Sequence, residues 1–327
     1  MTSLLDFYQE YGISPVRQDV TDLSAHFARR AALYRSLGLW PLSIHGKYIL
    51  EVGAGSGENA LYTQSLHPAE YTILEPNPVG AADIRRRGLR ARVVEQRIED
   101  FASFHFDVVL CEGLLGLCGT NPLELLESVA RHVTPGGVLV ITCIDPISQC
   151  AEVWRRSLAV PFIDRSATIS DQLAALRPVF TPHLATLKGM TRSVDDWILV
   201  NILNPASIGP TFSIPEACEA LEGRFDVLGC SPRLLTDWRW YKASSQGNQW
   251  AIDAYWRQAH NLLDYRVYRP ERAIEKNRVL YENCVTYRQD VHQYEQGLAD
   301  APDCTVIGGD PAGWFGRGQQ YLSFVRR

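Results

Sequence analysis

The chain has 327 residues, of which 46% are hydrophobic and 21% are charged, a composition typical of a soluble globular protein. Its formal charge of −5 argues against a broad phosphate-binding surface, so nucleic acid is not expected as a partner. No apolar run approaches the roughly 18 residues that span a bilayer, and no basic segment followed by an apolar one opens the chain. We therefore expect a cytoplasmic protein with no membrane span.

The eight cysteines are scattered along the chain and form no Cys-x-x-Cys pair. Thiols in a chain of this size without a secretory signal are expected to stay reduced and to pack as small hydrophobic side chains. The sequence thus predicts no metal site.

Residues 1–46 are predicted to form an N-terminal helical cap, with a helix over 22–37 that carries apolar residues at helical spacing. After it, short apolar strands alternate with helical segments, which predicts a parallel sheet covered on both faces. In chain order the predicted elements are strand 48–52, helix 58–66, strand 71–74, helix 81–87, strands 91–95 and 106–111, helix 122–132 and strand 138–143. A tight turn at 134–137 is expected to lead into this fifth strand.

The second half of the chain is less regular. Prolines at 161, 178, 182 and 205 are expected to break the segment 147–205 into short helices and loops. The later predicted elements are helix 214–221, strand 224–228, a helical stretch over 245–298 and strand 319–326. The regions we expect are the cap 1–46, a core 47–146, an insertion 147–213, and a segment 214–327 that completes the core and carries a helical insertion at 245–300.

The run Ile-Leu-Glu-Val-Gly-Ala-Gly-Ser-Gly-Glu-Asn-Ala, residues 49–60, is the strongest functional signal. A dinucleotide-binding loop places its third glycine three residues after the second, whereas Gly53, Gly55 and Gly57 alternate. Glu51 at the end of the strand suits a ligand that carries ammonium and sulfonium charges better than a pyrophosphate. The spacing therefore disfavours a nicotinamide-dependent oxidoreductase.

This run resembles the first motif of the class I S-adenosylmethionine (SAM)-dependent methyltransferases. Further along the chain, Glu75 ends the second predicted strand, and the segments 93–101, 106–109 and 135–137 resemble later motifs of the same family in the same order. The resemblance implies an α/β fold of the Rossmann-like class I methyltransferase type: a mostly parallel seven-stranded sheet with helical lid insertions. It also implies SAM as the cofactor.

The resemblance assigns Glu75 to the ribose hydroxyls and the glycine run to the rest of the cofactor. Many relatives place an aspartate after the third strand to bind adenine, but this chain has Arg97 there. Adenine contacts are therefore expected at the Ile98 backbone or at the Glu99 and Asp100 side chains. The candidate cofactor-binding residues are Glu51, Gly53, Gly55, Gly57, Asn59, Glu75, Pro76, Ile98, Glu99, Glu112 and Arg30.

Glu112 directly follows the apolar fourth strand, so it is expected at the strand tip beside the transferred methyl group. Two roles stay open for it: a general base or substrate anchor, or a ligand of the cofactor's amino group or of a neighbouring loop. His183 and His260, in the two insertions, are further candidate bases. His26 is a candidate for a side chain that faces the cofactor cleft.

The expected function is methyl transfer from SAM to an oxygen or nitrogen of a small or glycosylated metabolite, with O-methylation of a sugar or sugar nucleotide as the first hypothesis. Several short segments resemble a bacterial subgroup associated with surface-polysaccharide gene clusters. Two alternatives stay open: an N-methyltransferase on an amine or protein side chain, and a non-catalytic SAM-binding protein. The expected partner is a small or sugar-containing molecule, and a homodimer is left open.

Overall fold

The computed structural model describes residues 4–11, 20–103, 105–116, 121–186, 193–204, 210–243, 247–309, 314, 316 and 318–327. The strands in this part of the chain are β1 (Tyr48–Val52), β2 (Glu70–Leu74), β3 (Arg92–Val94), β4 (Phe106–Cys111), β5 (Val133–Cys143), β6 (Phe225–Ser231) and β7 (Gln320–Arg326). They form one sheet in the order β3-β2-β1-β4-β5-β7-β6. Strands β1 to β5 pair in parallel, and β7 is antiparallel to both of its neighbours. This topology confirms the expected mostly parallel, seven-stranded α/β fold.

Helices cover the sheet and form the insertions. They are α1 (Leu4–Glu10), α2 (Leu23–Ser36), α3 (Glu58–Ser65), α4 (Pro78–Arg86), α5 (Pro122–Ala130), α6 (Pro146–Ala159), α7 (Ile169–Leu184), α8 (Val194–Ile198), α9 (Ile214–Ala220), α10 (Gln249–Gln258) and α11 (Ile274–Glu295). Helices α4, α5 and α6 each begin with an Asn or Asp whose side chain accepts a backbone N–H, followed by a proline in the first helical position. Both features favour a helix start, so these helices begin at defined points of the chain.

The central strands are buried on both faces. Leu50 and Val109 belong to the apolar cluster on one face, whereas Ile49 and Val108 belong to the cluster on the other. This alternation explains the nearly continuous apolar strands in the sequence. The first insertion has a separate apolar cluster, formed mainly by α7 and α8 with Ala159 of α6 and Ile202.

Two expectations about local structure were wrong. The predicted turn at 134–137 lies inside β5, because Phe106 pairs with Val133 and Val108 pairs with Val138, and the extra residues form an irregularity in the ladder. Pro178 and Pro182 do not break α7. They are four residues apart on its exposed face, while Leu173, Leu176, Phe180 and Leu184 pack on the other face. Pro205 lies outside the described residues.

The predicted helical stretch 245–298 is interrupted. Helix α10 continues into a 3-10 turn at Ala259–Leu262, a loop follows, and α11 begins at Ile274. Tyr255 of α10 donates a hydrogen bond to Asp145, two residues after the end of β5, so the second insertion contacts the carboxyl end of that strand. Helix α11 packs along α6.

The cysteines that the structure describes are free, and all but Cys304 are buried. Within the described ranges no three His, Cys, Asp or Glu side chains are grouped so that they could hold a metal ion. No helix in that same part of the chain is long and apolar enough to cross a membrane.

Candidate cofactor and active site

Three glutamates lie at the carboxyl ends of adjacent parallel strands. Glu51 belongs to β1, Glu75 directly follows β2, and Glu112 directly follows β4. Because β2, β1 and β4 are neighbours in the sheet, these ends meet at one edge, where open α/β sheets bind ligands.

The glycine run forms the turn from β1 into α3. Gly53, Gly55 and Gly57 have φ angles of 71°, 60° and 82°, in the left-handed region that favours glycine. The Gly53 N–H donates to the Leu74 carbonyl at 2.8 Å, which ties the turn to the end of β2. The three glycines are therefore required by the backbone path itself.

The backbone holds Glu75 in place. One of its carboxylate oxygens accepts the Gly55 N–H at 2.7 Å, and the other accepts the Asn77 N–H at 2.9 Å. The side chain is buried, and burial raises its pKa to about 7 although both hydrogen bonds oppose this. Each oxygen keeps a second acceptor position, so the carboxylate can take two further hydroxyl hydrogen bonds.

Gly80, which is not among the site residues predicted from the sequence, packs against the glycine turn. A Cβ atom built on Gly80 would lie 2.7 Å from the Gly55 carbonyl oxygen and 3.1 Å from Cγ of Glu75. Helix α4 thus reaches the turn closely only because residue 80 has no side chain. Gly80 lies one residue before the predicted helix 81–87, whereas the observed helix begins at Pro78 and includes it.

Glu112 forms a two-fold ion pair with Arg30 of α2. The two guanidinium N–H groups donate to its two oxygens at 2.8 Å and 2.6 Å, and only 7% and 11% of the Arg30 and Glu112 side chains are exposed. Burial lowers the pKa of Arg30, but Glu112 together with Tyr34 and Tyr321 raises it well above its ordinary value. The pair joins the N-terminal cap to the sheet edge.

Glu51 is buried and accepts a hydrogen bond from the Tyr71 hydroxyl. Burial raises its pKa to about 7, and the nearby charge of Glu112 adds to this rise. When both carboxyls are ionised, the group formed by Glu51, Glu112 and Arg30 carries one net negative charge. A cationic ligand would stabilise this arrangement.

Helix α2 also touches the glycine turn through His26. Its Nε2 lies 3.1 Å from the Glu58 carbonyl oxygen at the start of α3, and burial lowers the pKa of this buried imidazole. Glu58 in turn accepts hydrogen bonds from Ser56, at 2.6 Å, and from Arg87. His26 therefore supports the turn through the backbone.

Asn59 and Pro76 flank this region. Asn59 lies in the first turn of α3, and its Oδ1 is buried without a hydrogen-bond donor among the described residues. Such an acceptor costs free energy unless a ligand or water supplies a donor. Pro76 is half-buried between Glu75 and Asn77.

The segment expected to face adenine forms a short 3-10 turn, Ile98–Asp100. The Ile98 carbonyl accepts from Arg131 at 3.2 Å and from the Phe101 N–H at 3.2 Å, while the Glu99 and Asp100 side chains are exposed. The adenine contacts proposed for these residues stay a prediction.

The two candidate histidines of the insertions lie in separate surroundings. His183 of α7 accepts a hydrogen bond at Nε2 from Arg155 at 3.0 Å, and burial followed by the charge of Arg155 lowers its pKa. His260 is buried beside Asn261 and Asn277, and burial lowers its pKa too. Among the described residues, neither histidine has a hydrogen bond to a strand-end glutamate.

A methyltransferase-domain family matches residues 50–141. The chain is also 36% identical, over 230 residues, to a fatty-acid O-methyltransferase of Mycolicibacterium smegmatis, and the match covers 69% of this chain and 68% of that protein. The chain belongs to the class I SAM-dependent methyltransferase family. This confirms the resemblance found in the sequence, and the cofactor of the family is SAM.

Other members of the family match a smaller part. A phthiotriol/phenolphthiotriol dimycocerosates methyltransferase 1 of Mycobacterium ulcerans is 36% identical over 123 residues, which are 36% of this chain and 45% of that protein. The chain thus spans just under half the length of that curated relative. The solved structure of the N-methyltransferase NodS from Bradyrhizobium japonicum, in complex with S-adenosylhomocysteine, is 21% identical, with 36% of this chain and 62% of that chain covered and a TM-score of 0.30.

The residues at the sheet edge fit the cofactor of the family. Glu75 offers two acceptor positions of the kind that ribose hydroxyls require. Glu51 and Glu112 supply the excess of negative charge that a ligand with ammonium and sulfonium groups needs, and Asn59 offers an acceptor that lacks a donor.

Proposed function

We propose that the protein transfers a methyl group from SAM to an oxygen atom of a lipid-like small molecule. The observation that carries the proposal is the fixed Glu75 carboxylate, which lies beside the glycine turn and next to an acidic pair suited to a cationic ligand. The relative with two thirds of its length matched is named as a fatty-acid O-methyltransferase, which favours a lipid-like acceptor over the sugar suggested by the sequence.

We assign the glycine turn and Glu75 to the nucleoside part of the cofactor. Arg30, Glu112 and Glu51 then recognise its amino-acid end: Arg30 faces the carboxylate, and the glutamates face the ammonium. When bound, SAM supplies a methyl group attached to a sulfonium, and the rest of the cofactor is left as a neutral thioether. What these residues contribute is orientation and the exclusion of water, and orientation alone supplies on the order of 7–11 kcal/mol in well-aligned reactions.

Glu112 is proposed as an anchor and not as the general base. Both of its oxygens accept hydrogen bonds from Arg30, so proton abstraction would require this buried pair to open. An acceptor that is itself a carboxylate is already ionised at neutral pH and needs no base. For a hydroxyl acceptor, His183 and His260 stay candidates, since a lowered pKa keeps an imidazole neutral and able to accept a proton.

The proposal is tested by incubating the purified protein with methyl-labelled SAM and a panel of acceptors: a medium-chain fatty acid, the matching alcohol, a sugar nucleotide and a primary amine. Label is expected in the fatty acid or the alcohol, and Glu75→Ala should abolish it at low SAM concentration. Label in the sugar nucleotide or the amine would contradict the lipid-like acceptor. SAM binding without transfer to any acceptor would favour the non-catalytic binding protein.

A further inference from the structure

A concave site lies beside the helical insertion, and its lining includes none of the residues assigned to the cofactor. It is a cavity of about 690 Å³ between the loop that follows Ala259–Leu262, the first half of α11 and the segment 307–309. Its charged lining consists of Arg266, Arg269, Arg272, Lys276 and Asp264. Four cations therefore face one carboxylate, in a chain whose overall charge is negative.

The single carboxylate in the lining, Asp264, is already paired with an arginine. Asp264 accepts from the Arg266 guanidinium at 2.9 Å and 3.2 Å, and Nη2 of Arg269 lies 4.0 Å from its Oδ2. Arg272 and Lys276 make no ion pair with any residue that the structure describes. At least two positive charges of the cavity thus lack a counter-charge.

Arg272 is held in position without being neutralised. Its Nε donates to Asn277 and its Nη2 to the Lys276 carbonyl at 3.1 Å, both uncharged acceptors. The side chain is half-buried, and burial lowers its pKa. A partly desolvated cation is stabilised when an anion enters beside it, and a positioned guanidinium matches a carboxylate or phosphate well.

Apart from His260 and Asn283, the other side chains that line the cavity are apolar. Leu280, Ile307 and Trp314 are buried and line it, together with Leu263 and Val279. A free inorganic ion would leave this wall unused, whereas a ligand with an alkyl body would cover it.

We propose that this cavity binds the anionic head group, a carboxylate or a phosphate monoester, of an amphipathic molecule. Arg272 and Lys276 contact the head group, and the apolar wall contacts the alkyl body. The inference rests on Arg272, Lys276 and the apolar wall, and the proposed function assigns no role to any of them.

The test is isothermal titration of the full chain with dodecanoate and with dodecyl phosphate, each below its micellar concentration. Lys276→Gln removes an exposed ammonium and should weaken binding roughly fivefold. Lys242→Gln, at another exposed lysine outside the cavity, should leave it unchanged. The tighter of the two probes identifies the head group. Equal affinity of Lys276→Gln and the unaltered protein, or equally tight binding of dodecanol or of inorganic phosphate, would overturn the proposal.

A second readout uses His260, which also lines the cavity. After burial, the charges of Arg272 and Arg269 lower its pKa. An anion that neutralises these charges should raise that pKa in an NMR titration of the imidazole. An unchanged pKa at saturating dodecanoate would overturn the placement of the head group. Neither measurement reads methyl transfer, so a failure here is distinguishable from a failure of the proposed function.

Discussion

At the carboxyl edge of β1 and β2, the backbone fixes the groups proposed to face the cofactor: two main-chain N–H groups hold Glu75, and the glycine turn has a path that other residues rarely adopt. In the second insertion, side chains and a carbonyl on one loop and one helix hold the cations of the cavity. Groups that the backbone holds, such as the Glu75 carboxylate, depend on a short local motif. Groups that side chains hold, such as the cations of the cavity, depend on residues that no motif specifies. They can therefore change while the fold stays the same.

The Arg30–Glu112 pair is where the sheet edge itself depends on a side-chain partner. Arg30→Met should leave the Glu112 carboxylate buried without a counter-charge, and removal of one partner of a buried pair costs about 3–5 kcal/mol. Urea unfolding should show this loss. The double variant Arg30→Met/Glu112→Leu should recover most of it, and a loss below about 1 kcal/mol in the single variant would show that the pair is not structurally important.

Glu75 tests whether the backbone-held carboxylate binds the cofactor. Glu75→Ala removes the acceptor for two charge-assisted hydrogen bonds, so the Kd for S-adenosylhomocysteine should rise about 10- to 100-fold. The matched control is Glu70→Ala, at the exposed start of the same strand. Calorimetry on both variants, with circular dichroism to check folding, separates a binding role from a structural one. A change of less than twofold would refute the assignment.

Gly80 tests how closely α4 must approach the glycine turn. In Gly80→Ala the new Cβ would meet the Gly55 carbonyl at 2.7 Å, so the helix must shift, with an expected loss of about 1–2 kcal/mol and weaker cofactor binding. Gly223→Ala is the control, because its φ of 77° strains an alanine but no atom lies within 4 Å. That variant should lose stability without losing cofactor affinity, as thermal unfolding and calorimetry can show.

The buried carboxyls make the stability of the folded protein depend on pH. The pKa values of Glu51 and Glu75 are raised to about 7 and that of Asp145 to about 6, above the values of exposed carboxyls. The folded state then binds more protons than the unfolded state between about pH 4.5 and 7, so the free energy of unfolding should fall as pH rises through this window. Denaturation at pH 5 and pH 8 measures it. The opposite slope would show that these carboxyls are ionised in the folded protein at pH 5.

Much of the sheet could be predicted from the sequence, because its signals are local. Strands β1 and β4 begin and end at the predicted residues, and the alternating glycines indicated the turn that the structure contains. The seven-stranded topology followed from the resemblance to a known family.

Other features depend on contacts between distant segments. The Arg30–Glu112 pair joins residues 82 positions apart, and no local pattern specifies it. The prolines of α7 are tolerated because the buried stripe on the opposite face stabilises the helix, which a local rule for proline does not include. The cavity is lined partly by a stretch whose sequence only predicted a helix and partly by residues from 307 onward.

Calorimetry with SAM, S-adenosylhomocysteine and NADH decides whether the glycine turn and Glu75 bind SAM. We expect binding of both adenosyl-sulfur ligands in the micromolar range, loss of most of that affinity in Glu75→Ala, and no binding of NADH. NADH binding without SAM binding, or SAM binding that Glu75→Ala leaves unchanged, would contradict the account.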